Sequence, residues 1–226
     1  MQAELTLRMR RNAITTYFPN SGPFRRELYR KHLEFFAAGA EHQERAFMGG
    51  NRSGKTIGGS FETTLHATGE YPDWWVGRRF DGPCDMWAAG DTNETTRDII
   101  QFALLGRFGD FGTGMIPYRC LDGEPTRRQG IAEAVDTFRV KHKSGGVSTI
   151  GLKSSESGRA KFQGTAKHVI WLDEEPPADV YDECLMRLMT TDGIMMCTFT
   201  PLKGLSEVAL RFLPHMAPAN ETGDGS

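Results

Sequence analysis

Long hydrophobic runs are missing from this sequence. No stretch approaches the roughly eighteen consecutive apolar residues of a membrane span, and residues 1–12 are charged without the apolar centre of a signal peptide. The reading is a soluble intracellular chain with no membrane partner. A charge excess is missing too: 27 Lys and Arg stand against 29 Asp and Glu, a formal net charge of −2. That excludes a global basic signature, so any nucleic-acid contact must be local. The four cysteines (Cys84, Cys120, Cys184 and Cys197) are far apart and form no C-x-x-C pair. A zinc knuckle and a secreted disulfide framework are therefore both excluded, and reduced thiols are expected. At 226 residues the chain can bury a large core without staples, and one α/β domain with ragged ends is the favoured organisation.

What is present begins with Gly49-Gly50-Asn51-Arg52-Ser53-Gly54-Lys55-Thr56, which fills every fixed position of G-x-x-x-x-G-K-[ST]. Such a loop cradles a nucleoside triphosphate. Gly49 and Gly54 let the backbone curl with its N–H groups toward phosphate oxygens. Lys55 supplies a point charge to the β and γ phosphates, and Thr56 a hydroxyl to Mg²⁺. The short apolar run before it reads as a buried parallel strand, and residues 57–67 read as a helix whose N-terminus faces the anion.

Residues 1–23 are charged, then broken by Pro19, Asn20, Gly22 and Pro23, and read as an adaptable lead-in. Residues 24–38 carry apolar groups at helical spacing, stopped by Gly39, which predicts an amphipathic helix upstream of the loop. Its Tyr29 and His32 are either core residues or groups that stack on or bond to a nucleotide base. Trp74 and Trp75 cannot both face one side of a regular strand and are expected to clamp a loop. Arg78 and Arg79 form either a local basic patch or a solvated pair. Residues 84–90 read as a strand and 92–105 as a helix capped by Asp91 or Thr92. Residues 106–130, rich in Gly, Pro and Arg, read as a surface excursion. Residues 135–140 and 147–152 predict an antiparallel hairpin.

The run Val169-Ile170-Trp171-Leu172 ends abruptly in Asp173-Glu174-Glu175, as a buried parallel strand tipped with acids does. In open α/β sheets ligands sit beyond the carboxyl ends of strands, so these acids share the crevice of the phosphate loop. Asp173 is placed to hold Mg²⁺ and Glu174 to orient and deprotonate the attacking water, with Glu175 as the spare. Arg159, in the polar loop 154–164, is a candidate arginine finger in its own subunit or a neighbour's, or else a solvated cation. Residues 194–201 predict a further buried strand whose tip places Thr198 and Thr200 to sense the γ-phosphate. Residues 206–213 predict a short helix, and 214–226 a linker or chain end.

Taken together, the phosphate loop, Tyr71-Pro72-Asp73-Trp74-Trp75, Gly158-Arg159-Ala160-Lys161-Phe162-Gln163-Gly164, the acid-tipped strand through Pro177, and Thr198-Phe199-Thr200-Pro201 resemble the ATPase domain of tailed-bacteriophage terminase large subunits. The resemblance implies a RecA-like P-loop NTPase of the ASCE type, with a mainly parallel sheet flanked by helices and an antiparallel hairpin added, over residues 24–213. It implies ATP and Mg²⁺ as ligands, with Lys55 and Thr56 on phosphate and metal. Asp173 and Glu174 match the metal-organising and catalytic pair, Thr198 to Thr200 the coupling element, and Arg52 an arginine within the phosphate loop. The partners implied are double-stranded DNA, a portal protein and procapsid, a terminase small subunit and a homo-oligomeric ring, in the cytoplasm of an infected bacterial host. Family members usually carry a nuclease domain after the ATPase, so the expectation is an isolated motor domain or a truncated protein, with no nuclease activity of its own. Two rivals remain at this level: a helicase-like P-loop ATPase, and a nucleotide-gated binding protein without turnover.

Overall fold

The computed structural model describes residues 2–202, 204 and 206–213, so the expected linker 214–226 lies outside the described residues. Seven strands form one sheet: β1 (Glu44–Met48), β2 (Asp85–Gly90), β3 (Thr126–Arg127), β4 (Val135–Lys141), β5 (Val147–Ser154), β6 (Val169–Asp173) and β7 (Ile194–Phe199). Their order is β1-β7-β6-β2-β5-β4-β3. The first five in that order are parallel, and β4 and β3 add antiparallel to the β5 edge. One strand, β7, thus separates the phosphate-loop strand β1 from the acid-tipped strand β6, as in a RecA-like P-loop NTPase of the ASCE type.

The helices are α1 (Gln2–Arg10), α2 (Arg30–Ala38), α3 (Lys55–Thr68), α4 (Asn93–Thr95), α5 (Phe102–Leu105), α6 (Ala178–Leu188) and α7 (Glu207–Phe212), with a π-helical segment, Thr96–Gln101, joining α4 to α5. None is long and apolar enough to cross a membrane. Strand β6 buries both faces, which explains its unbroken apolar run. Val169 and Trp171 join the core that holds Phe61 and Leu65 of α3. Ile170 and Leu172 join the opposite core, with Val180, Tyr181, Cys184 and Leu188 of α6.

At Gly59 of α3 a Cβ would lie 2.3 Å from the Trp171 indole nitrogen, so only glycine lets helix and sheet approach this closely. A second device spans the phosphate loop. Arg45 of β1 pairs with both carboxylate oxygens of Glu62 on α3, at 3.0 Å for Nη1–Oε2, and both residues are buried. Glu62 also bonds His66 Nε2 (3.1 Å), and His66 Nδ1 bonds the Tyr71 hydroxyl (2.9 Å), which accepts from Phe80 N. Breaking such a buried pair from one side costs about 3–5 kcal/mol, so it fixes the pitch of α3 against β1.

Three expectations need correction. The upstream helix begins at Arg30, because Phe24 and Leu28 are exposed and give no apolar face to bury. The lead-in forms α1 and a 3₁₀ turn, Ala13–Thr16, and plants Phe18 in the aromatic cluster of Phe36, Phe61 and Trp74. Residues 106–130 are no mere surface excursion, since Met115, Ile116 and Cys120 are buried in the core. Arg78 and Arg79 fit the solvated-pair alternative, Arg79 being exposed and bonded to the Trp75 carbonyl and Arg78 pairing with the exposed Asp192.

The hairpin β4–β5 forms as expected. So does the aromatic clamp, with Trp75 buried and Trp74 stacked on Phe61. Thr92 caps the helix that follows β2.

Candidate active site

The phosphate loop leaves β1 tied to its neighbour strand, because Gly49 N donates to the Phe199 carbonyl at 3.3 Å. It turns into α3 through Gly54, whose φ of +83° lies in the left-handed region. A Cβ there would come 2.9 Å from His32 Nε2. His32 Nε2 itself lies 3.1 Å from the Gly54 carbonyl. A carbonyl only accepts, so Nε2 carries the proton. Burial lowers the His32 pKa, favouring the neutral ring against the Gly54 carbonyl bond that raises it.

Lys55 is buried at the centre. Its ammonium donates at 2.9 Å to the Gly49 and Gly50 carbonyls and to Thr200 Oγ1. Thr200 in turn donates to the Gly49 carbonyl. The loop, the lysine and the tip of β7 are thereby one bonded unit.

The acids enter from β6. Thr56 Oγ1 lies 3.2 and 3.1 Å from the two Asp173 carboxylate oxygens. Thr198, the register partner of Asp173 on β7, donates to Asp173 Oδ1 at 2.6 Å. Trp171 Nε1 donates to the same Thr198 hydroxyl at 2.7 Å. Because an indole only donates, the single Thr198 proton must go to Asp173, and the relay Trp171→Thr198→Asp173 has one possible direction. Burial raises the Asp173 pKa to about 6, against the bonds from Thr198 and Thr56 that pull it down.

Glu174 follows in the left-handed region at φ +77°, its N–H bonded to the Thr198 carbonyl at 3.0 Å and its side chain exposed. Non-glycine residues held there cost about 1–3 kcal/mol, and such strain clusters where a side chain must be aimed. Glu175 turns inward instead, accepting from Ser206, the cap of α7.

Lys55, Thr56, Asp173, Glu174, Thr198 and Thr200 are therefore drawn together. Thr198 is fully buried and faces Asp173, whereas Thr200 touches the lysine. Tyr29 and His32 line a cavity of about 510 Å³ beside the loop, together with Arg52, Ser53 and Gly54. Asn51 meets Thr200 at 3.3 Å, and Arg52, at φ +63°, is exposed on the loop's outer turn. Arg159 lies elsewhere: its Nε bonds Glu183 of α6 at 2.8 Å, on the sheet face opposite α3. Sequence reasoning missed Trp171 as a polar group and the Arg45–Glu62–His66 network. An acid and a histidine four apart on the buried face of α3 were the available signal.

A Thr hydroxyl beside one carboxylate suits Mg²⁺, which takes few protein oxygens and fills its shell with phosphate and water. The Asp173 carboxyl, whose charge burial disfavours, is one that a cation would stabilise.

The chain is similar to known proteins. Residues 46–222 match the family model described as terminase large subunit, T4likevirus-type, N-terminal. The large terminase subunit of Salmonella phage P22 is 36% identical over 205 residues, covering 82% of this chain, which spans 41% of that relative's length. Among solved structures, a large terminase from a thermophilic bacteriophage is 15% identical, with a TM-score of 0.49 over 84% of this chain and 38% of that one. A point mutant of the Thermus phage P74-26 large terminase ATPase domain is 17% identical, with a TM-score of 0.48 over 78% and 66%. With the family model covering most of its length, the chain belongs to the terminase large subunit family.

Proposed function

We propose that this domain hydrolyses ATP and that the cycle drives double-stranded DNA into a viral procapsid. The observation that carries the proposal is the meeting of two strand tips, with Thr56 of the phosphate loop 3.1 Å from Asp173 of β6 and Glu174 next in the chain.

In this reading the loop N–H groups and the N-terminus of α3 receive the β and γ phosphates. The Lys55 ammonium exchanges the Gly49 and Gly50 carbonyls for phosphate oxygens. The base enters the cavity lined by Tyr29 and His32. Thr56 and Asp173 would hold Mg²⁺, which when bound neutralises charge on the phosphates.

Glu174 accepts the proton of the water whose oxygen attacks the γ-phosphorus, and the bond from that phosphorus to the β–γ bridging oxygen breaks, releasing ADP and phosphate. Thr200, bonded to both Lys55 and Gly49, senses the departure of phosphate and passes it to β7. Arg52 is the nearer candidate for offsetting transition-state charge. Arg159 would serve only a neighbouring subunit, after leaving Glu183. Portal, procapsid, small subunit and a ring of like subunits are the partners this function requires.

The test is ATP hydrolysis by the chain with and without duplex DNA, alongside Lys55→Ala. Turnover that needs Lys55 is expected, with nucleotide affinity falling in the variant. Unchanged affinity in Lys55→Ala contradicts the cradle, and efficient strand separation of a duplex contradicts translocation.

A further inference from the structure

The sheet face opposite α3 is covered unevenly. Its apolar cluster runs from Met48 and Phe199 to Trp87 and, among the described residues, takes no member from β4 or β5. Beyond Trp87 the face turns polar and basic. Thr137 of β4 and Gly151 of β5 are register partners, and Gly151 is also the partner of Trp87 on β2. A Cβ at Gly151 would come 3.1 Å from the Trp87 ring, so the glycine leaves room for the indole. Thr137, Thr149, Lys153, Lys167, Trp87 and one carboxylate, Asp136, line one cleft of about 100 Å³.

Two ammonium groups stand over that indole, Lys153 Nζ at 5.2 Å and Lys167 Nζ at 5.1 Å from the ring centroid. Lys167 is only 8% exposed, and among the described residues neither lysine has a salt-bridge partner. The charged groups around Lys153 are Arg128, Lys161 and Lys167 on one side and Asp136 on the other, with Asp136 already paired to Arg128 at 3.1 Å. Lys167 adds only Asp85. Four cations thus face two carboxylates. Burial lowers both lysine pKa values, outweighing the opposing pull of Asp136 on Lys153 and of Asp85 on Lys167.

We infer that this cleft is a second anion site, across the sheet from the phosphate loop, and that it takes a backbone phosphate of double-stranded DNA between Lys153 and Lys167. Thr149 supplies a hydroxyl donor, the Thr137 hydroxyl being turned to Asp136 at 3.2 Å, and Lys141, exposed on the outward side of β4, extends the cationic track beside Arg139, which Asp122 holds at 3.0 Å. The chain's net charge of −2 does not oppose this, because a phosphate responds to the local group of cations rather than to the net charge. Choosing DNA as the source of the phosphate rests on the function proposed above.

The test is duplex binding by the whole chain over a range of salt, for wild type, Lys153→Gln/Lys167→Gln and Lys153→Arg/Lys167→Arg. Each phosphate that the protein no longer neutralises should reduce the slope of log affinity against log salt by about 0.9, so the glutamine pair should reduce it by about 1.8. The arginine pair should keep the wild-type slope, and ATP affinity should be unchanged in all three. Should the glutamine pair fail to fold, Lys153→Gln alone at its half-exposed position should reduce the slope by about 0.9. A wild-type slope in the glutamine variants, with duplex still bound, overturns the site and leaves the DNA reading standing. A wild-type chain that binds no duplex at all overturns both.

Discussion

Replacing Thr198 by valine keeps the shape of the side chain and removes one buried hydroxyl, which the structure makes costly twice over. The Trp171 indole N–H, fully buried, loses its acceptor at 2.7 Å. Stranding such a donor costs about 1–3 kcal/mol. Asp173 loses its 2.6 Å donor, a bond to a carboxylate worth about 1.5–3 kcal/mol. Thr198→Val is therefore expected to lower unfolding free energy by about 2.5 kcal/mol or more, read from the midpoint of urea denaturation at unchanged slope. Adding Trp171→Phe removes the stranded donor, so the double variant should be more stable than the sum of the singles predicts, by about 1–3 kcal/mol in a double-mutant cycle. The Asp173 pKa should move further up, since the Thr198 bond is what opposes burial. A Thr198→Val stability within about 0.5 kcal/mol of wild type, or strict additivity in the cycle, would refute the relay.

Asp173 also sets a pH dependence. Its native pKa of about 6 exceeds the ordinary 3.8, so the folded chain holds that proton more tightly than the unfolded chain. The associated stability is complete below about pH 4 and is lost as pH rises through 6, roughly 3 kcal/mol in all. Chemical denaturation of wild type against Asp173→Asn across that window should show the loss in wild type alone, and equal profiles would contradict it. Gly59→Ala forces a methyl against Trp171 and should destabilise by about 1–3 kcal/mol, whereas the helix preference of alanine alone would stabilise. A gain in melting temperature would show that α3 has room to move off the sheet.

Much of the fold was legible because linear signals and tertiary needs coincide. Gly49 to Thr56 is a contiguous motif, and β6 announces itself by burying both faces before three acids. Phe18 was not legible, since it lies in a Pro- and Gly-broken stretch where no periodicity marks burial and only the distant rings of Phe36, Phe61 and Trp74 give it a place. Residues 24–29 misled in the opposite sense, with helical spacing but no partner for Phe24, which is 65% exposed. Met115 and Ile116 are held in the core by backbone bonds to Ala103 and Leu104, a pairing no local pattern reveals. At the site, residue types identified the chemistry but not the register. Thr198 and Thr200 look alike in sequence, yet pairing of β6 with β7 sets Thr198 opposite Asp173 and leaves Thr200 on Lys55.

Glu174 is where structure and proposed chemistry meet most narrowly, as a strained residue beside a metal-ready pair with its neighbour Glu175 turned away to Ser206. ATP affinity and steady-state hydrolysis, measured together in the presence of duplex DNA for Glu174→Ala and Glu175→Ala, separate water activation from binding. Glu174→Ala should bind ATP as wild type does and turn over none, while Glu175→Ala keeps turnover. An active Glu174→Ala, above all beside a dead Glu175→Ala, would contradict the assignment.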